Sequence, residues 1–161
     1  MDADDDPQLP PALAFLRDIW ALNHAIEKTS MRMESALGVT AQQRMILRIV
    51  GRFPEITAGR LAKMLHVDAG TVSTALRRME ARGLVLRRQD PKDRRRVSLR
   101  LAAAGRRLDV ATQGTVESAV EALLDKTDAT ERETVRSVLA RLAKALSDEP
   151  DEALQDGSER V

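Results

Sequence analysis

Two groups of side chains in this sequence have the types and spacing to do chemistry, and in both the chemistry is recognition of an anionic surface. The first is Thr71, Ser73, Thr74, Arg77 and Arg78, short hydroxyls that donate and accept followed by two long guanidinium groups. Hydroxyls and arginine forks at this spacing suit base edges in a duplex groove, arginine being the commonest reader of guanine O6 and N7. Just ahead of them, Ala69 and Gly70 are small enough to let a helix N-terminus approach a phosphate. Its free N–H groups and dipole favour an anion there. The second group is Lys92, Asp93, Arg94, Arg95 and Arg96, inside the run Gln89 to Arg96. Its cations, with Arg78, suit phosphate contacts that carry affinity rather than sequence. Taken one at a time, each cation fits a solvated face equally well, and Asp93 could cap a turn; the argument rests on the set.

Catalytic constellations are missing from the same sequence. There is no Ser–His–Asp arrangement, no glycine-rich phosphate loop and no metal spacing, since His24 and His66 stand far apart. With no cysteine, disulfides, thiolate nucleophiles, zinc–thiolate sites and cysteine-based peroxide sensing are excluded together. The expectation is a binding protein, not an enzyme, with no cofactor and no metal.

The elements that must position these groups follow from periodicity and caps. Asp68 can accept from the free N–H groups of a helix start, and Val72, Ala75, Leu76 and Met79 recur at three- and four-residue spacing. That face is core, and the hydroxyls and arginines lie opposite. Gly83 can end the helix in the left-handed conformation with Leu84 packing back on Met79, which predicts a helix over 69–82. Leu84 to Arg88 and Val97 to Leu101 are β-prone, the second alternating Val97, Leu99 and Leu101 against Ser98 and Arg100. A short helix from Thr57 carrying Leu61, Ala62 and Leu65, a His66–Val67 turn and the Asp68 helix make a helix-turn-helix. Helix and basic hairpin together form a winged-helix pattern.

Around that unit, a long helical pattern runs from Ala12 to Leu37, with Leu13, Leu16, Trp20, Ile26, Met33 and Leu37 as apolar markers and Gly38 as its stop. Its length suggests that part of it packs on another subunit. Thr40 and Gln43 have the form of a capping box for a second helix that buries Met45, Ile46, Ile49 and Val50, and Pro54 breaks it. After the hairpin, Ala102 to about Leu124 reads as one alanine-rich helix weakened at Gly105 and Gly114. Asp128 and Glu131 form another capping box, opening a helix with Val135, Val138, Leu139, Leu142 and Leu146 on its stripe. Helices from both chain ends outside the winged helix are most simply a dimer interface.

The fold class expected is mainly α with a small β-hairpin: a winged helix-turn-helix plus a helical dimerisation layer formed by the N- and C-terminal helices. The boundaries are an acidic tail over 1–11, one domain over 12–146 and a second acidic tail over 147–161. Within the domain, 39–101 is the DNA-binding part, and 12–37 with 102–146 the dimerisation helices.

Composition supports this division. The 161 residues carry a formal net charge of +1, yet 41–107 holds 17 Lys and Arg against 5 Asp and Glu, a net +12, leaving −11 for the rest. A block this basic is the electrostatic footprint of a phosphate-facing surface. Aromatics are confined to Phe15, Trp20 and Phe53, too few for single-strand stacking platforms. No stretch approaches the roughly 20 apolar residues of a membrane helix, and the start, with four aspartates and no apolar run, suits neither signal peptide nor anchor. A cytoplasmic protein with no membrane partner is expected.

Three stretches carry a family likeness: Asp68-Ala69-Gly70-Thr71-Val72-Ser73, Arg78-Met79-Glu80-Ala81-Arg82-Gly83-Leu84-Val85, and Asp90-Pro91-Lys92-Asp93-Arg94-Arg95-Arg96. With the order of elements and the distance from the wing to Gly105, they make the chain resemble the MarR family of bacterial transcriptional regulators over roughly 12–146. The resemblance implies a homodimeric winged-helix repressor or activator of double-stranded DNA, usually relieved by a small, often aromatic or phenolic ligand bound between the dimerisation and DNA-binding layers. It implies that Arg95 enters a minor groove, oriented by Asp93, with neighbouring cations on phosphates. Trp20, His24 and Met45 are the candidates for that ligand's pocket, although Trp20 equally suits core or dimer packing and His24 a solvent-facing role. Similar proteins carry a threonine N-cap where this chain has Ala102. Two other functions stay open: a winged-helix module binding an acidic protein partner, and a small-molecule sequestering protein without DNA binding.

Overall fold

The computed structural model describes residues 9–89 and 97–148. The chain forms α1 (Pro11–Leu37), α2 (Ala41–Arg52), α3 (Ala58–Leu65), α4 (Ala69–Ala81), β1 (Val85–Gln89), β2 (Val97–Leu101), α5 (Ala103–Leu108), α6 (Val116–Leu124) and α7 (Ala129–Asp148). It divides into two compact units, one ending at Ala119 and the other beginning at Val120. The expected class is found: mainly α, with one antiparallel hairpin in a winged helix-turn-helix.

Local signals set most boundaries of the first unit. Gly38 closes α1 at φ 70°, its N–H donating to Glu34 O. Thr40 and Gln43 form the reciprocal capping box that opens α2. Thr57 caps α3 by accepting from Arg60 N–H, and His66 closes it in the left-handed conformation. The stop after α4 has both Schellman bonds, Leu84 N–H to Met79 O and Gly83 N–H to Glu80 O, each 2.9 Å, with Gly83 at φ 65°. These five signals, Gly38, the Thr40–Gln43 box, Thr57, His66 and Gly83, lie in the four connections from α1 to β1.

The hairpin pairs Val85 with Leu101 through Gln89 with Val97. Its second strand is extended by the segment before α3: Leu99 N–H donates to Ile56 O and Glu55 N–H to Leu99 O, each 2.9 Å. The core of this unit gathers Val39, Ile46, Leu47 and Val50 with Leu61, Val72, Leu76, Met79, Val85 and Leu99. Every one is essentially buried, so α2, α4 and the hairpin share a single apolar interior. α1 joins it at its C-terminal end, where Met33 is buried and Ser30 Oγ accepts from Ala41 N–H at 2.9 Å. The rest of α1 leaves Leu13, Leu16, Trp20 and Ile26 exposed.

Two expectations need correction. The buried face of α2 is Arg44, Ile46, Leu47 and Val50, while Met45 is 54% exposed. A charged residue takes a core position because each of its three guanidinium nitrogens finds a partner. The single helix expected after the hairpin is broken: α5 ends at Leu108 and α6 starts at Val116. Between them the chain turns across α2 with Gly114 at φ 76°, and Thr115 and Ser118 cap the new start reciprocally. The carbonyls of Leu108 and Val110, freed by the break, accept from Arg44. Those bonds replace the helical ones that an alanine-rich sequence would otherwise have made.

Ala102 stands at the N-cap of α5 with no side-chain cap bond. Two backbone bonds secure this junction instead, Ala102 N–H to Leu84 O at 3.0 Å and Arg106 N–H to Ala102 O at 2.9 Å. In the second unit, Asp128 and Glu131 exchange capping bonds at the start of α7, and Thr127 Oγ1 donates to Leu123 O at 2.8 Å. No residue of α7 is buried; Val135, Leu139 and Leu146 are exposed.

Candidate nucleic-acid interface

The site is built on α4. Asp68 accepts from the backbone N–H of Thr71 at 2.7 Å and from its hydroxyl, which fixes the first turn. These two Thr71 bonds, side chain first and backbone second, hold the Asp68 carboxyl below its ordinary pKa. Val72, Leu76 and Met79 anchor the helix in the core. The opposite face is left outward: Thr71, Thr74, Arg77 and Arg78 are exposed, Ser73 half-buried, and Ala69 and Gly70 exposed at the N-terminus. All seven candidate residues of the helix therefore share one solvent-facing side or end of it.

Charge on this face is left available by the way its neighbours pair. Arg87 of β1 pairs with Glu80 at 3.2 Å and reaches Ser73 O at 3.5 Å, tying strand to helix and neutralising the one acidic residue within α4. Arg100 of β2 is engaged with Glu55. Among the described residues, neither Arg77 nor Arg78 has an ion-pair partner. A positive, hydroxyl-bearing ridge results, with its cations free to meet an external anion.

Beside the ridge lies a cleft of about 390 Å³ lined by Thr40, Gln42, Gln43, Thr71, Thr74, Ala75 and Arg78. It joins the start of α2 to the middle of α4. Arg82 secures this join from the other end of α4, donating to Gln43 Oε1 at 3.2 Å and to Gly38 O. Thr40, Gln42 and Arg82 were not among the expected site residues. The signal for the first two was present, because a capping box marks a helix start and the helix-turn-helix brings that start against α4.

Lys92, Asp93, Arg94, Arg95 and Arg96 lie outside the described residues. Gln89, the residue before the run 90–96, pairs with Val97, the residue after it. The pocket candidates line neither of two clefts in the first unit. Trp20 is 66% exposed on α1, His24 is exposed four residues further on, and Met45 is exposed on α2. Neither the cleft beside α4 nor a second one of about 240 Å³, lined by Arg32, Met33 and the stretch 112–115, contains any of the three. No cluster of His, Asp or Glu suited to a metal occurs among the described residues.

The MarR family model matches residues 39–97, from the approach to α2 to the start of β2. A crystal structure of MarR is 30% identical in sequence, covers 99% of this chain and 98% of its own, and superposes with a TM-score of 0.57. The chain belongs to the MarR family. Two further comparisons lie close to this MarR-family chain. A mutant MarR from E. coli complexed with operator DNA is 25% identical, with 81% of this chain and 94% of that one covered and a TM-score of 0.63. The HTH-type transcriptional regulator YdgJ of Bacillus subtilis (strain 168) is 28% identical over 112 residues, covering 70% of this chain and 68% of its own. The matched segment contains both candidate groups, the α4 face and the wing run up to Arg96.

Proposed function

We propose that this MarR-family chain is a sequence-specific regulator of transcription that binds double-stranded DNA. It works in the cytoplasm as a homodimer on a pseudo-palindromic operator, as a repressor released by a small ligand. The observation that carries the reading is the outward face of α4, where hydroxyls and exposed arginines stand on a helix whose other face is locked in the core. An α-helix fits the B-DNA major groove, so Thr71, Ser73, Thr74 and Arg77 read base edges. Arg78, Lys92, Arg94 and Arg96 meet phosphates, and Arg95, oriented by Asp93, enters the adjacent minor groove. A relative crystallised with operator DNA supports the DNA-binding reading. Among the described residues no helix is long and apolar enough to cross a membrane.

A titration against random-sequence duplex at two salt concentrations tests the reading. With six to ten phosphate contacts, affinity falls by about 10³–10⁵ between 50 and 200 mM salt through counterion release. A flat response overturns DNA binding in favour of a protein-interaction module. Replacing the wing arginine, Arg95→Ala, is expected to weaken operator binding by about 1–3 kcal/mol; wild-type affinity in that variant removes the minor-groove assignment.

A further inference from the structure

The most completely satisfied charge among the described residues is not on the candidate interface. Arg44, on α2, is 1% exposed. Its guanidinium spends three donors on the segment that follows the hairpin: Nη1 to Leu108 O at 2.7 Å, Nη2 to Val110 O at 2.6 Å, and Nε to the carboxylate of Glu117 in the first turn of α6. One turn along α2, Arg48 Nη1 reaches Asp109 Oδ1 at 2.7 Å. Gly51 lets Asp109 sit against α2, since a Cβ there would stand 1.9 Å from Asp109 Oδ2. The segment is fastened at its far end too, where Thr115, itself 2% exposed, exchanges capping bonds with Ser118 and donates to Thr112 O at 2.8 Å.

We infer that Arg44 and Glu117 form a clasp that holds the first turn of α6 to the DNA-reading unit, and thereby sets how strictly the regulator discriminates the spacing between its two half-sites. The inference rests on the proposed homodimeric DNA-binding function. α2 shares its core with α4 through Leu47, Val50, Leu76 and Met79, so whatever holds α6 to α2 holds it to the recognition face. Without the clasp, the seven residues that interrupt the helix are held to α2 through the partly exposed Arg48–Asp109 pair, a weaker tie. Only a planar, always-charged fork can serve two carbonyls and a carboxylate at once; a lysine ammonium is a point charge and cannot. A clasped protein holds its two reading heads at one separation and angle. Moving a half-site by one base pair shifts it by about 3.4 Å and turns it by about 34°, which a stiff dimer must resist and a loose one follows.

The experiment uses the full chain and a bound duplex recovered from a random library. The half-site centres of that duplex are moved by −1, +1 and +2 base pairs, and affinity is measured for wild type, Arg44→Lys and Glu117→Gln, with thermal melts confirming that each variant is folded. Wild type is expected to lose about tenfold or more at each displaced spacing, the order of a base-pair mismatch, and the variants less than about threefold. Equal spacing profiles, or a variant loss that is uniform across spacings, overturn the clasp and leave Arg44 a purely structural residue. A wild type that tolerates every spacing overturns it as well. If neither variant folds, Glu117→Asp carries the test on the same duplexes, because it keeps the charge of a partly exposed side chain and shortens its reach to Arg44. A wild type that recovers no preferred duplex at all overturns the proposed function instead, so the two failures are distinct.

Discussion

Asp68 illustrates how much a single side chain at the start of α4 decides. It satisfies the free Thr71 N–H, and its charged form is favoured because Thr71 donates to it twice. The folded carboxyl is thus more acidic than the unfolded one, whose ordinary value is 3.8. A depressed folded pKa gives stability that is present above the unfolded value and lost as pH falls through the folded one. Asp68→Asn keeps a capping oxygen but no titration. Urea midpoints of wild type and variant are therefore expected to hold a constant difference above about pH 5 and to converge below about pH 4; a difference that ignores pH would remove the charge from the cap. Asp68 was legible in sequence because capping is local. Arg44 was not, since its partners lie 64 to 73 residues away and nothing in its neighbourhood distinguishes it from a surface arginine. Arg44→Ala leaves Glu117 and two carbonyls short of a donor, and is expected to lower unfolding free energy by about 2–4 kcal/mol, read from denaturant melts. An effect near zero would mean that water replaces the fork.

The same division between local and distant causes runs through the elements. Helix starts at Thr40, Thr57 and Asp68 and the stop at Gly83 were readable because each is written in four or five adjacent residues. The break between α5 and α6 was not. Ala103, Ala104, Ala111 and the residues around them have good helix propensity, and the donors that capture Leu108 O and Val110 O come from α2. Met45 failed for a related reason: its spacing fits a buried stripe, but Arg44 occupies the buried position beside it. Packing of α5 gives the sharpest prediction at this scale. A Cβ at Gly105 would stand 2.0 Å from Leu84 O, a backbone atom already bonded to Ala102 N–H, so neither side can yield cheaply. Gly105→Ala is expected to destabilise the fold by about 1–3 kcal/mol in spite of alanine's better helix propensity. A stabilised variant in a thermal melt would show that α5 rides further from the hairpin. On α4, Arg77→Ala should relax preference at particular base pairs in selected duplexes, whereas loss of a phosphate contact would weaken all sequences alike.

At the scale of the whole molecule, the apolar side chains that one chain leaves exposed include several on its first and last helices. The basic block over 41–107 contains α4 and the wing run, while exposed apolar side chains sit on the first half of α1 and, in the second unit, on α7. Exposed apolar surface on this scale marks an interaction site, and a second copy of the chain brings an identical surface to it. Trp20 makes the proposal measurable, because it is the only tryptophan and is 66% exposed in the single chain. If α1 is covered in a homodimer, the indole loses water contact on association. Its emission should then lie to the blue at micromolar concentration and move to the red on dilution, in step with the mass found by sedimentation. Trp20→Glu puts a charge where that surface would close, and a central aromatic anchor contributes about 2 kcal/mol or more to an interface. The dissociation constant is accordingly expected to rise by about thirtyfold or more. Should emission stay constant on dilution while sedimentation reports a single chain throughout, α1 is not a dimer surface. The half-site geometry of the operator reading would fall with it, leaving α4 and the wing as a monomeric contact with DNA.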